Sequence, residues 1–274
     1  MVSVDAVITV IRDDDLLETA VESLLAQQAP GVDLVVRVGF DGPVEEHTRA
    51  WKQDDRVVIH RFPVNRGVGG ALRAVVDLSS ADYVARLDSD DVALPGRIAK
   101  QVKVLQLNPD IVLLGTAVTL INEEGEEIGE PTLRGNGDVI DVTDGLWKKN
   151  MITHSSIMMP RSAYERAGGY DPHLRKYEDY DLFLKLALLG RAAVLNEPLV
   201  QYRLHQGQIT RTFKLRGLPV QGIARRQRRL AKARHVPLYL RVVWTMAWLV
   251  AQYVSVMGLR EWNYQRVTAK QPSH

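Results

Sequence analysis

The sequence has no cysteine, which excludes disulfides and any thiolate metal site and leaves the redox compartment open. The opening Met1-Val2-Ser3-Val4-Asp5 is not a basic segment followed by an apolar core. No secretory signal is therefore expected, and the cytoplasm is the default location. A G-x-S-x-G elbow and a Walker phosphate loop are both missing, which removes the common hydrolase-triad and P-loop readings. Acidic charge is missing from one region. Between Glu197 and Glu261 there is none, while the interval holds basic residues from Arg203 through Arg225, Arg226, Arg228, Arg229, Lys232 and Arg234 to Arg260. The formal net charge of +2 thus conceals an acidic front body and a basic tail, with a boundary expected near 205–215.

The 274 residues, 46% hydrophobic and 25% charged, suffice for a real core in one large or two small domains, and the balance is that of a soluble enzyme. Asp5–Val10 reads as a buried strand, followed by a helix from Arg12-Asp13-Asp14-Asp15 to about Gln28. Asp33–Phe40, Val57–Phe62 and Tyr83–Leu87 continue as strands, Glu45–Lys52 as a short helix, and Asn65–Leu78 as a glycine-led helix. Leu94–Leu107 reads as a helix, Ile111–Ile121 as a strand, Asn122–Asp144 as hairpin and loop, and Asn150–Pro160 as another strand. The helices Arg161–Ala167 and Tyr177–Leu189 and the strand Ala192–Tyr202 follow. Alternating strands and helices predict an α/β, doubly wound, mostly parallel sheet.

Within that frame the run Y-V-A-R-L-D-S-D-D at 83–91 is the stretch that needs a reason. Three carboxylates crowd the end of a buried strand, where repulsion and lost hydration make a bare cluster costly. A hard divalent cation would relieve the cost; a solvated turn, with Asp91 capping the helix after Pro95, is the alternative. A calcium EF-hand loop fails, because Ala93 and Ala99 occupy its glycine and glutamate positions. Asp41, in F-D-G-P, also ends a strand, on the edge where parallel sheets bind ligands, although Asp-Gly is also ordinary turn chemistry. Asn65-Arg66-Gly67-Val68-Gly69-Gly70 is either a turn that lets backbone approach a nucleotide or a plain tight turn. It does not complete a dinucleotide fingerprint, because Leu72 stands in the last small-residue slot. Glu178, Asp179 and Asp181 either favour a helix N-terminus or include a general base. His154 is either structural or functional, and His205, after the last strand, is a candidate metal ligand.

Taken in order, these residues resemble the family 2 glycosyltransferases of the GT-A fold over about 4–206. The set is Val7–Val10, Asp41-Gly42, Asn65-x-Gly67, Leu87-Asp88-Ser89-Asp90-Asp91 with Leu94-Pro95-x-Arg97, His154-Ser155-Ser156, Gly168-Gly169-Tyr170-Asp171, Glu178-Asp179-x-Asp181-Leu182 and Tyr202-Arg203-x-His205. The resemblance implies an inverting transfer from a nucleoside diphosphate sugar, a UDP-sugar first, to a saccharide or lipid-linked acceptor, with Mn²⁺ or Mg²⁺ as cofactor. It implies donor contacts from Val10, Asp41, Asn65, Gly67, Arg73, Asp88 and Ser89. Metal ligation would fall to Asp90 with Asp88 and His205, acceptor-side contacts to His154 and Glu178, and the base role to Asp179. A donor half at about 1–120 and an acceptor half at about 121–206 are expected. The sequence departs from the family pattern at Arg12-Asp13-Asp14-Asp15, at Phe40 and at Arg73. A sugar-nucleotide pyrophosphorylase is disfavoured, because its basic glycine-rich N-terminal loop is replaced by Arg12-Asp13-Asp14-Asp15; a silent glycan- or nucleotide-binding module remains the non-enzymatic alternative.

The remaining 207–274 form a basic helical extension. Its uncharged stretch Val242–Leu259 contains two tryptophans and suits either an anionic membrane surface at the inner face of the cell membrane, reached through 225–259, or docking on the body or on a second copy in a homodimer. No nucleic-acid partner is expected, since the arginines lack any accompanying motif.

Overall fold

In the computed structural model, which describes residues 1–133, 135–204 and 220–256, strand β1 (Val2–Val10) lies between two parallel neighbours. It pairs with β2 (Val32–Asp41) on one side and β4 (Tyr83–Arg86) on the other, and β3 (Val57–Phe62) pairs with β2. The register sets Val10 beside Phe40 and Val7 beside Arg86, so the carboxyl ends of β1, β2 and β4 share one edge. Nearly continuous apolar runs suit strands covered on both faces. Val4, Ala6, Ile8, Val36, Val38 and Phe40 are buried in one core cluster, and Asp5, within β1, is neutralised by Arg37 of β2 at 2.5 Å.

Helix α1 (Asp15–Leu25) is capped by Asp14, whose carboxylate accepts the Leu17 N–H at 3.1 Å. Helices α2 (Gly67–Val76) and α3 (Arg97–Leu107) cover the sheet, and β5 (Val92–Ala93) precedes α3. Then come β6 (Ile111–Ile121), β7 (Val139–Asp141), α4 (Thr143–Leu146), β8 (Met158–Pro160), α5 (Arg161–Arg166), α6 (Glu178–Leu186) and β9 (Arg191–Arg203). The sheet order is β3-β2-β1-β4-β8-β6-β9-β5, with β7 paired to β9. Strand β8 is antiparallel to both β4 and β6, whereas β6 and β9 are parallel. The sheet is therefore parallel in its first half and mixed in its second.

Three local expectations are corrected. The helix expected at Glu45–Lys52 is only a 3-10 turn at Ala50–Gln53. Buried Asp13 takes the His47 N–H at 2.8 Å, Arg49 Nε at 3.0 Å and Lys52 Nζ at 2.6 Å, and this holds the segment open. The strand expected over Asn150–Pro160 shrinks to Met158–Pro160, because Ser156 Oγ accepts the Thr116 N–H at 3.1 Å and donates to Thr153 O at 2.9 Å, folding His154–Ser156 into a turn. The helix expected from Leu94 starts at Arg97, after Gly96 in the left-handed region (φ 81°).

The tail boundary expected near 205–215 lies outside the described residues. Beyond it, helix α7 (Val220–Ala233) buries Ile223, Leu230 and Ala231 in the same core cluster as Leu182 and Phe183 of α6. Asp181, 1% exposed, binds Lys185 at 2.9 Å and also Arg226 of α7; Gln227 Nε2 donates to Tyr180 Oη at 3.0 Å. Helix α8 (Leu238–Val256) turns Trp244 onto Trp147 (ring centroids 6.2 Å apart) and Trp248 onto Tyr177 (6.0 Å). Its opposite side exposes Tyr239, Val242, Val243, Met246 and Val250. Docking on the body thus accounts for α7 and for one side of α8. Among the described residues no helix is long and apolar enough to cross a membrane.

Candidate active site

Where β4 ends, Asp88, Asp90 and Asp91 each offer a carboxylate oxygen, all within 4.8 Å of one another. The turn is held from both sides. The Asp88 N–H donates to Ser155 Oγ at 2.9 Å, and Arg203 of β9 donates its own N–H to Asp91 Oδ1 at 2.8 Å and its Nε to the Asp90 carbonyl at 2.9 Å. Asp91 therefore does not cap α3: the cap residue there is Gly96, with no side-chain bond. Burial first, then Asp90, push the Asp88 carboxyl up to about 6 against the pull of Arg86. Burial and the carboxylates of Asp88 and Asp90 hold Asp91 well above the usual carboxylate range. Its Oδ2 is buried without a hydrogen-bond partner. A pocket of all-oxygen donors with an orphaned buried carboxylate atom fits a hard divalent cation such as Mg²⁺ or Mn²⁺. His205, expected as a further ligand, lies outside the described residues.

Two guanidiniums lie beside this cluster: Arg86, which carried no role in the sequence reading, and Arg97 of the Leu94-Pro95-x-Arg97 run. Arg86, the last residue of β4, forks onto Asp88, with Nη1 at 2.6 Å from Oδ2 and Nη2 on Oδ1. Arg97, fully buried, donates Nη2 to the Arg86 carbonyl at 2.6 Å. Burial pushes Arg97 down to about 9, with Arg86 adding to the fall and Asp91 opposing it. The available signal for Arg86 was an arginine inside an otherwise apolar strand two residues before an aspartate.

The N-terminus of α6 supplies the second acidic group. Tyr177 enters it in the left-handed region (φ 64°), which is costly for a bulky residue. Asp179 accepts the Asn150 amide at 2.8 Å. Burial raises Asp179, opposed by a backbone N–H, Arg86 and Asn150. Glu178 is driven up to about 7, by burial first and Asp179 second. The effects are mutual: Asp179 also raises Asp88, which puts the α6 acids in the electrostatic field of the strand-end cluster. Asp181 points instead at Lys185 and α7 and is structural. A carboxylate at Asp179 can accept a proton from a hydroxyl brought to the cluster. If it does so in turnover, the acid limb of the pH–rate profile lies above the ordinary carboxylate range, since the base works only when ionised. Glu178→Gln should then leave that limb in place, because Glu178, held protonated up to about 7, is already neutral where Asp179 ionises; a pH profile of kcat/KM checks this.

His154 is partly buried. Its Nε2 lies 2.7 Å from Tyr170 Oη, its ring packs edge-on to Phe183 at 5.9 Å, and burial with Arg86 pushes it well below its ordinary pKa. It is a neutral packing partner under the site. On the same sheet edge, Asp41 Oδ1 accepts the Arg66 N–H at 2.7 Å, and Asn65 binds the Asp41 carbonyl (3.3 Å) and the Gly67 N–H (3.1 Å). Asp41, Asn65 and Gly67 thus form one unit beside the end of Val10. Ser89, partly exposed, stands in the carboxylate turn. Arg73 does not join them: its Nη1 binds the carbonyls of Gly168 (3.1 Å) and Tyr170 (2.8 Å). Gly69 and Gly70 lie inside α2, where a Cβ on Gly69 would meet Glu178 Cβ at 2.9 Å and the Asp171 carbonyl at 3.2 Å. Their smallness lets the approach to α6 pack close.

The description "Glycosyl transferase family 2" is that of the family model matching residues 5–168. The chain is 34% identical over 195 residues to the amylovoran biosynthesis glycosyltransferase AmsE of Erwinia amylovora, covering 70% of this chain and 71% of that protein. It is 30% identical over 209 residues to the O-antigen biosynthesis glycosyltransferase WbnJ of Escherichia coli, covering 74% and 80%. In fold it is similar to the S. aureus TarS 1–349 fragment, whose crystal structure in complex with UDP-GlcNAc superposes with a TM-score of 0.65 at 14% identity, covering 85% of this chain and 66% of that one. The chain spans 65% of the same fragment in a second crystal structure.

Proposed function

Since the chain belongs to glycosyl transferase family 2, and is a glycosyltransferase with its GT-A fold, we propose that it moves a sugar from a UDP-sugar to a saccharide or lipid-linked acceptor with inversion. The single observation that carries this reading is the cluster of Asp88, Asp90 and Asp91 at the end of β4, each offering a carboxylate oxygen within 4.8 Å of the others, with Arg86 forked onto Asp88. Residues 1–120 would hold the donor, with Asp41, Asn65 and Gly67 on the nucleoside and Asp88 on the ribose, and 121–206 would hold the acceptor. Asp90 and the open oxygen of Asp91 would hold a divalent cation. When bound, such a cation neutralises charge developing on the leaving diphosphate. Asp179 takes the proton of the acceptor hydroxyl as its oxygen bonds to the anomeric carbon, while the bond from that carbon to the diphosphate oxygen breaks on the opposite face. One such displacement inverts the centre. The names of the amylovoran and O-antigen relatives support a cell-surface polysaccharide as the product class.

The test is release of UDP from a panel of UDP-sugars by the purified chain with Mn²⁺. Slow, Mn²⁺-dependent release with at least one sugar is expected even without acceptor, whereas a silent binding module releases none.

We propose further that the protein works against the cytoplasmic face of a membrane. Helix α7 exposes Arg225, Arg228, Arg229 and Lys232 at helical spacing, and the adjoining α8 exposes its apolar side, a pairing that suits an anionic lipid surface. Cosedimentation with anionic but not neutral vesicles, lost in Val243→Asp/Met246→Asp, is the expected result. A dimer that dissociates in that variant, without vesicle binding, would assign the apolar side to a second copy.

A further inference from the structure

Arg86 holds a position that nothing in a transfer reaction requires to be basic. It ends a buried strand, its side chain is 6% exposed, and its backbone is fixed through the Ile157 carbonyl (3.0 Å) and Arg97. Both Asp88 oxygens are taken by its fork, while Nε is buried without a hydrogen-bond partner. Its charge acts on Asp88, Glu178, Asp179, His154 and Tyr170 at once. Arg86 and Asp88 form an ion pair inside a cluster that also holds the Asp90 and Asp91 carboxylates. An arginine cannot lose its proton to relieve the crowding, and its planar fork fixes the carboxylate it holds.

A bare divalent cation that approaches this cluster meets a paired Asp88 and a nearby positive charge. A nucleoside diphosphate carrying the same cation brings its own negative charge and meets no such penalty. We propose that Arg86 is a positioning residue that reserves Asp88 for the donor and keeps the cluster's affinity for a bare divalent cation low, so that the cation enters with the nucleoside diphosphate. This rests on the cation–diphosphate reading of the site.

The test titrates Mn²⁺ alone into the full chain, following free Mn²⁺ by electron paramagnetic resonance, and repeats the titration with UDP present. Arg86→Gln should bind bare Mn²⁺ about tenfold or more tighter than the wild type, since one repelling charge is gone, and should bind UDP more weakly at saturating Mn²⁺. Arg86→Lys keeps the charge but not the fork. It should retain wild-type affinity for bare Mn²⁺ while also losing affinity for UDP, and it decides the matter if the glutamine variant does not fold. Unchanged or weaker Mn²⁺ binding in Arg86→Gln, or tighter binding in Arg86→Lys, overturns the proposal. Wild-type protein that takes up no Mn²⁺ even with UDP overturns the cation–diphosphate reading itself, and the proposal with it.

Discussion

Asp179→Asn is expected to lower sugar transfer about 10³-fold, within the range a positioned general base contributes, while UDP binding changes little. The substitution is nearly isosteric and leaves α6 and the Asn150 contact able to form. It removes only the capacity to take a proton from the acceptor. The carboxylates that would hold donor and cation belong to a different element, so the loss should fall on kcat with acceptor and not on UDP affinity. Glu178 does not replace it: its burial and its neighbour keep it protonated up to about 7, and Gly69 packs against its Cβ. Equal losses in UDP affinity and in transfer would mean that the variant damages the site as a whole.

The second large effect is expected at Asp90. Asp90→Asn should abolish Mn²⁺ uptake in the presence of UDP and reduce transfer by roughly 10³-fold, since charge stabilisation of a leaving phosphoryl oxygen by a metal supplies several kcal/mol. The turn should survive, because its support comes from the backbone: Arg203 grips the Asp90 carbonyl, and Ser155 the Asp88 N–H. Full transfer by Asp90→Asn would remove the cation from the account. The two variants thus separate by what they lose: Asp179→Asn keeps metal-dependent UDP binding and Asp90→Asn does not.

What could be read from the chain alone follows from how local each feature is. Strands β1 to β4 and the carboxylate turn are written in short contiguous patterns, an apolar run ending in D-S-D-D, and they stand where the periodicity puts them. The sheet's second half is not local. Strand β8 enters antiparallel between β4 and β6, and three residues carry too little alternation to reveal a direction. Asp91 looked like a helix cap because its neighbours in sequence permit that; its real partner, Arg203, is 112 positions away. The roles of Glu178, Asp179 and Asp181, all acidic and within one helical turn, are separated by the side of the helix that aims Asp181 at Arg226. Gly69 and Gly70 read either as a turn approaching a nucleotide or as a plain tight turn; they lie inside α2, close to residues a hundred positions later. Arg73 stands at a donor position by resemblance, but its place on α2 commits it to the Gly168 and Tyr170 carbonyls.

The central claim, that the strand-end carboxylates grip a nucleoside diphosphate through a divalent cation, is tested most directly by calorimetric titration of UDP in Mn²⁺ and in EDTA. The account predicts that wild-type protein binds UDP at least about tenfold more tightly with Mn²⁺, the gain expected when a metal bridges carboxylate and diphosphate, and that Asp90→Asn binds it equally weakly in both. Equal UDP affinity with Mn²⁺ and with EDTA in the wild type would contradict it.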